Sequence, residues 1–166
     1  NRVGAMLWGA GQDKVLPARG GRLRVLQLLQ GIQDAEDSAT KKGNQNSSVA
    51  MHLADLLRAA VHTVRQRSTV FVVSDFISEP GWEQPLGELA MRHDVVAVRL
   101  LDPLELNLPD VGWMNLRDAE TGEQLLVDTN DSGFRQRFSR IAAQREATLR
   151  ESLGQAGVDT LELSTD

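Results

Sequence analysis

Two apolar runs in this sequence each end in a carboxylate. Residues 69–74 precede Asp75, and residues 94–101 precede Asp102. Unbroken β-branched runs of this length are typical of strands buried on both faces of a parallel sheet, and open α/β sheets bind ligands at the carboxyl ends of their strands. Oxygen side chains at that rim suit a hard divalent cation such as Mg²⁺. The candidate ligands are Ser74, Asp75, Asp102, Glu105 and the hydroxyls of Ser47 or Ser48.

Other interpretations of these carboxylates stay open. Asp75, taken alone, is more simply explained as the cap of the turn that follows its strand. The alternative function is a Mg²⁺-dependent phosphotransfer or hydrolytic enzyme in which Asp75 and Asp102 hold the ion. The sequence has no cysteine, nucleophile elbow or glycine-rich phosphate loop, so such an enzyme would lack a nucleophile or base beyond the carboxylates. The histidines His52, His62 and His93 lack the mutual spacing of a metal site and are expected in the core or at the surface.

Composition limits the class of protein. With 166 residues and 41% apolar content the chain can bury one core, so residues 1–166 are expected to form a single domain. The net charge of −5 argues against a nucleic-acid partner, because such binding depends on basic residues that neutralise phosphates. The sequence contains no apolar run of about 18 residues that could span a membrane. The lack of cysteine is compatible with the cytoplasm.

The amino-terminal part of the chain predicts a hairpin followed by a helix. An apolar strand pattern starts within two residues of a non-methionine start, so we expect the chain to be a piece of a longer protein. Residues 3–8 and 13–16 predict two strands, the second ended by Pro17. Leucine and isoleucine recur at helical spacing over residues 23–32. The polar segment 34–48 is expected to be a mobile loop.

The rest of the chain alternates helices and strands, which is typical of the α/β class. Apolar spacing predicts a helix over residues 49–64, capped by Ser47 or Ser48. A short helix over 82–90 links the two apolar strands in a right-handed parallel crossover. This topology places Asp75 and Asp102 on the same rim. There follow a hairpin over 112–128, a helix over 132–153 with an arginine-rich face, and a last strand over 158–163.

An ordered set of short motifs, covering nearly the whole chain, resembles one bacterial family. That family is the von Willebrand factor A-like proteins of the domain-of-unknown-function fifty-eight group, commonly encoded beside MoxR-type AAA+ ATPases. The motifs are Arg2-Val3-Gly4, Leu16-Pro17-Ala18-Arg19-Gly20, Val72-Val73-Ser74-Asp75-Phe76, Arg92-His93-Asp94-Val95-Val96-Ala97-Val98, Asp102-Pro103-Leu104-Glu105, Leu108-Pro109, Gly112, Asp118 and Glu120-Thr121-Gly122-Glu123.

The resemblance implies a three-layer, doubly wound, mostly parallel Rossmann-like sheet and, in complete members, a metal-ion-dependent adhesion site for Mg²⁺. That site takes ligands from an Asp-x-Ser-x-Ser motif after the first strand, a threonine, and an aspartate after the fourth strand. Asp75 matches the last of these. The first motif is absent, and Ser47 and Ser48 lie in about the right loop but about one helical turn too far from Asp75. The site is therefore expected to be incomplete in this chain, which would bind little or no Mg²⁺.

The function that the resemblance implies is that of a non-enzymatic protein-interaction module. Its partner would be a MoxR-type ATPase or a client protein that it helps to assemble or mature. Many members of the family are anchored in the membrane, so the parent protein of this chain would be a membrane-anchored protein with this part in the cytoplasm. A structural domain that binds no metal is the third interpretation. Because the first strand of this fold is central, its absence opens the sheet. We expect the gap to be filled by direct pairing of residues 3–8 with 69–74, or by a strand from another copy in a self-associated form.

Overall fold

A computed structural model describes the backbone of residues 2–8, 13–41, 53–117 and 124–165. The chain forms two compact units, Asn1–Met51 and His52–Asp166, and each is described by itself. That the two units act as one domain, as the composition indicates, stays a prediction.

The first unit is an antiparallel hairpin followed by a helix. Strand β1 (Arg2–Leu7) pairs with strand β2 (Lys14–Gly20), and helix α1 spans Arg22–Lys41. The prediction that Pro17 ends the second strand is wrong. The register shifts at this point, so a β-bulge accommodates the proline, which has no N–H to donate to the ladder.

Helix α1 runs further than the polar composition of residues 34–48 indicates. The prediction of a mobile loop is wrong for residues 34–41, which are helical. Four of these eight residues, Ala35, Glu36, Ala39 and Lys41, have high helix propensity. Residues 42–48, including Ser47 and Ser48, lie outside the described residues.

The second unit contains four helices and five strands in its described residues; the short helix Pro103–Leu106 is not predicted from the sequence, and the other elements follow the predicted order. In chain order these are α2 (Leu53–Thr63), β3 (Thr69–Ser74), α3 (Glu83–Ala90), β4 (Asp94–Leu101), α4 (Pro103–Leu106), β5 (Trp113–Arg117), β6 (Gln124–Asp128), α5 (Ser132–Ala156) and β7 (Asp159–Ser164).

A three-stranded parallel sheet is the centre of this unit. Its order is β3-β4-β7, which confirms the predicted parallel crossover between the two apolar strands. The prediction that β3 is buried on both faces is wrong, because Val72 is 6% exposed whereas Phe71 and Val73 are 63% and 57% exposed. The face of β3 that carries Phe71 and Val73 is therefore exposed, and in the described sheet β3 is also an edge strand with one neighbour.

The core of the second unit lies where helices α2, α3 and α5 pack. Leu57, Leu86, Leu89 and Ala97 are at most 1% exposed. Helix α5 contacts α3, and Arg99 on β4 forms an ion pair with Glu146 on α5. On α5, Ala142 is buried but the neighbouring Ile141 is 54% exposed. Gly157, with a φ of 68°, caps the end of this helix.

Strands β5 and β6 form the predicted antiparallel hairpin, while its turn, residues 118–123, lies outside the described residues. The predicted direct pairing of the first strand with β3 is not found in the described parts of the chain, where β1 pairs with β2 and β3 with β4. A strand supplied by another copy stays a prediction.

Candidate functional site

The loop after β3 holds Asp75 at the surface in a turn closed by two side chains. The Ile77 N–H donates to Asp75 Oδ1 at 3.0 Å, and the Phe76 N–H donates to Ser74 Oγ at 3.0 Å. The Ser74 hydroxyl also lies 3.4 Å from Asp75 Oδ1. Asp75 therefore caps this turn, as its structural interpretation predicts, and this use engages one of its two carboxylate oxygens.

Phe76 adopts a backbone conformation that aromatic residues rarely adopt. Its φ is 59°, and among the described residues no other non-glycine residue has a positive φ. A left-handed conformation costs a residue with a Cβ roughly 1–2 kcal/mol. Its side chain is 5% exposed and packs edge-on against Trp82, with ring centroids 5.5 Å apart. Burial of this ring thus holds the loop in a strained shape, a feature that often accompanies functional loops.

A second and a third carboxylate lie on the same rim. Asp102 follows β4 and caps α4, accepting from the Leu104 N–H at 2.9 Å. Glu105, half-buried in α4, has its pKa raised above the usual range, first by burial and then by the negative charges of Asp75 and Asp102, with Arg99 partly offsetting them. Because β3 and β4 pair in parallel with Ser74 opposite Arg99, Asp75 and Asp102 follow strands that end on the same rim, as expected.

The start of helix α2 lies at this rim as well. The Leu53 N–H donates to Ser78 Oγ at 3.3 Å, and Ser78 lies three residues after Asp75. The N-terminal end of a helix carries a partial positive charge that favours nearby negative charge. This end of α2 is therefore compatible with the carboxylates of the rim. Ser47 and Ser48 precede Leu53 but lie outside the described residues, and their contribution to the site stays a prediction.

The side chains at this rim meet only part of what a Mg²⁺ ion requires. All the side chains concerned offer oxygen, which Mg²⁺ prefers, but Asp75 and Asp102 each use one oxygen in a cap. Within the described ranges no three His, Cys, Asp or Glu side chains come together closely enough to hold a metal ion. Asp75 and Asp102 each keep one oxygen for an ion, and water would have to supply most of its remaining ligands.

Two other predicted features are structural in this molecule. Arginines expected on the exposed face of α5 make local contacts: Arg135 donates to the Thr129 carbonyl and pairs with Asp110 at 3.2 Å, and Arg150 pairs with Glu146 at 3.2 Å. His93 is 5% exposed and immediately precedes β4, as expected for a residue away from the carboxylate rim.

Sequence reasoning did not find two contributors to the loop geometry. Phe76 carries no signal, because a phenylalanine is not the residue from which a left-handed conformation is predicted. Ser78 is one of several hydroxyls in a polar loop, and its contact with α2 depends on tertiary packing. Across the described ranges, none of the helices has both the length and the apolarity needed to cross a membrane.

Comparison with known proteins places the chain among proteins without assigned function. The sequence profile of the family described as "Protein of unknown function DUF58" matches residues 1–148. An uncharacterised protein of Mycobacterium avium is 34% identical over 151 residues, which cover 91% of this chain and 85% of that protein. Uncharacterised proteins of Mycobacterium bovis and Mycobacterium tuberculosis are 32% identical over 166 residues, and this chain spans only 50% of their length.

Two solved structures have a similar fold. One is the conserved hypothetical protein BatB from Bacteroides thetaiotaomicron, with a TM-score of 0.53 and 14% identity, covering 99% of this chain and 72% of that one. The other is an aerotolerance-related membrane protein from Bacteroides fragilis, with a TM-score of 0.53, 13% identity and the same coverage. At these identities the likeness concerns the fold alone.

Proposed function

Because the chain belongs to the DUF58 family of proteins of unknown function, we propose that it is a von Willebrand factor A-like protein-interaction module. In this proposal it is not an enzyme, and it works with a MoxR-type AAA+ ATPase in the assembly or maturation of a client protein. The ordered motifs from Arg2 to Glu123 and the parallel sheet β3-β4-β7 support the proposal.

The observation that carries the proposal is the position of Asp75. Its carboxylate is exposed at the carboxyl end of a parallel strand, on a loop that the buried Phe76 ring holds in a strained conformation. Asp102 and Glu105 add negative charge to the same rim. A fixed, exposed, negatively charged rim is suited to binding through a cation rather than to cleaving a bond, since the sequence supplies no nucleophile beside it.

In the complete parent protein, Asp75 with the hydroxyls of Ser47 and Ser48 would hold Mg²⁺ in a metal-ion-dependent adhesion site. The bound ion would supply a positive charge that attracts an oxygen ligand of the partner. Ser74 orients the Asp75 carboxylate through its hydroxyl. Glu105, whose pKa is raised, retains a proton more readily than an ordinary glutamate and so limits the repulsion among the three carboxylates.

A Mg²⁺-dependent phosphotransfer or hydrolytic enzyme using Asp75 and Asp102 receives less support. Each of these carboxylates has one oxygen engaged by the N–H of its following turn. A metal-dependent hydrolase needs in addition a water-activating base or a second well-coordinated ion. The protein-interaction module therefore remains the preferred function.

We place this chain in the cytoplasm, as a domain of a parent that is anchored in the membrane. The Bacteroides fragilis protein of similar fold is described as a membrane protein. This chain spans 50% of the length of two mycobacterial relatives, so those proteins contain further segments in which an anchor could lie. The anchor itself belongs to the whole protein and is part of the proposal.

The test is binding between the full-length parent and the MoxR-type ATPase encoded beside it, measured by biolayer interferometry in Mg²⁺ and in EDTA. We expect binding in Mg²⁺ that EDTA removes and that Asp75→Asn weakens at least about tenfold, a change of roughly 1.4 kcal/mol. Asp131→Asn is the matched control, because Asp131 is also an exposed aspartate that accepts from the N–H two residues on, here Gly133 at 2.8 Å. Binding that is equal in EDTA, or equally weakened by both substitutions, would contradict the proposal.

A further inference from the structure

A basic cavity lies at the end of the second unit opposite the carboxylate rim. It has a volume of about 570 Å³ and borders the carboxyl end of α2 and the turn that enters β4. Two valines of the α2 region line it together with five basic or imidazole side chains, and no carboxylate of the described residues lines it. The five are His62, Arg65, Arg67, Arg92 and His93.

Most of the positive charge at this cavity is uncompensated. Arg67 pairs with Asp94 at 3.2 Å, but Arg65 and Arg92 form no ion pair within the described part of the chain. Both side chains are exposed. The protein as a whole carries a net charge of −5, so this concentration of unpaired cations runs against its general charge.

Helix ends explain part of this arrangement. Helices α2 and α3 both end near the cavity, at Thr63 and Ala90, and arginine is favourable beside the carbonyls of a helix C-terminus. The same carbonyls oppose a bound anion, which limits the affinity to be expected. Helix ends do not, however, explain the state of the histidine that borders the cavity.

His93 lies beneath the lining of the cavity with its hydrogen-bonding groups unused. The residue is 5% exposed, and neither ring nitrogen has a hydrogen-bond partner among the described residues. Buried polar side chains without any partner are rare and call for a missing ligand or water. Since both nitrogens are buried, a turn of the ring is needed before its N–H can reach a ligand in the cavity.

We propose that this cavity binds a phosphate group, either as inorganic phosphate or as the phosphate ester of a small molecule. The planar guanidinium groups of Arg65 and Arg92 match phosphate oxygens in geometry and charge, and the His93 ring donates a third hydrogen bond after it turns. The volume lies within the range of small-molecule sites. The site is separate from Asp75, so it stands whether or not the carboxylate rim binds a metal ion.

The test is a nuclear magnetic resonance titration of the chain with inorganic phosphate, at constant ionic strength maintained with sodium chloride. We expect saturable shifts of the His93 ring signals with a dissociation constant of about 1 mM. A parallel titration with phosphoserine distinguishes the two sources. If the ligand is a phosphate ester, phosphoserine should bind more tightly than inorganic phosphate. If the ligand is free phosphate, phosphoserine should bind more weakly.

Variants decide which residues hold the ligand. The double substitution Arg65→Gln with Arg92→Gln is expected to weaken phosphate binding at least about tenfold, and circular dichroism checks that the fold is kept. Arg58→Gln is the control, because Arg58 lies on α2 but pairs with Asp55 at 2.8 Å. His93→Phe should weaken binding and retain the packing of the ring. Shifts that do not saturate, or an affinity unchanged in the double arginine variant, would overturn the proposal, and the arginine variants decide it even if His93→Phe unfolds.

Discussion

The buried ion pair between β4 and α5 provides a quantitative test of the fold. The Arg99 side chain is 8% exposed and that of Glu146 is 18% exposed, and the pair joins the sheet to the longest helix of the second unit. Removing one partner of a buried pair costs about 3–5 kcal/mol, because the other charge is left without a partner. Glu162 lies 3.7 Å from the same Arg99 nitrogen and is 46% exposed, so it offsets part of this loss. We therefore expect Glu146→Gln to lower the free energy of unfolding by about 2–4 kcal/mol.

Urea denaturation followed by circular dichroism measures this change. The double variant Arg99→Met with Glu146→Leu should recover most of the loss, since an apolar pair of similar volume replaces a buried ion pair at little cost. Arg58→Ala is the exposed control: its pair with Asp55 has side chains 58% and 55% exposed, and its loss should cost less than about 1 kcal/mol. A loss below about 1 kcal/mol for Glu146→Gln would mean that α5 does not pack on the sheet as described.

Four further predictions follow from the carboxylate rim and the open sheet. Asp75→Ala should lower the free energy of unfolding by only about 1 kcal/mol, the value of a lost cap, and a larger loss in urea denaturation would make Asp75 chiefly structural. Because the pKa of Glu105 is raised by burial and then by Asp75 and Asp102, the folded state loses stability as the pH rises through that pKa. Glu105→Gln should therefore raise the urea midpoint at pH 7 and leave it unchanged below about pH 4, and equal effects at both pH values would contradict this cause. Calorimetry should find Mg²⁺ binding to this chain alone weaker than about 1 mM, whereas micromolar binding would reveal ligands not identified here. Light scattering should detect self-association through the open edge of β3, and a stable monomer whose β3 edge stays unpaired would refute it.

Much of the fold of the second unit follows from local patterns. The apolar runs at residues 69–74 and 94–101, joined by a short helix, are sufficient to predict a parallel pair, and alternation over 113–128 predicts the hairpin. The predictions are wrong where tertiary packing or helix propensity, rather than the apolar pattern, determines the structure. An unbroken apolar run looks the same whether one or both faces of a strand are covered, so it predicts burial of Phe71 and Val73, which are exposed. Residues 34–41 are helical although the stretch is polar, and only Ala35, Glu36, Ala39 and Lys41 among them have high helix propensity.

The candidate sites differ in how far the sequence predicts them. Asp75, Asp102 and Glu105 follow strands that pair in parallel, so topology alone brings them to one rim. The left-handed conformation of Phe76 depends on its burial against Trp82, which no local pattern reveals. The basic cavity joins residues 61–67 to residues 92–93, and their proximity depends on how α2 and α3 pack.

The central claim is that Asp75 serves a metal-dependent binding site in the complete protein. It is tested most directly by calorimetric titration of Mg²⁺ into the full-length parent and into its Asp75→Ala and Asp131→Ala variants. We expect saturable binding to the parent and to Asp131→Ala, and an affinity at least about tenfold lower for Asp75→Ala. An affinity for Mg²⁺ that is the same in the parent and in Asp75→Ala would contradict it.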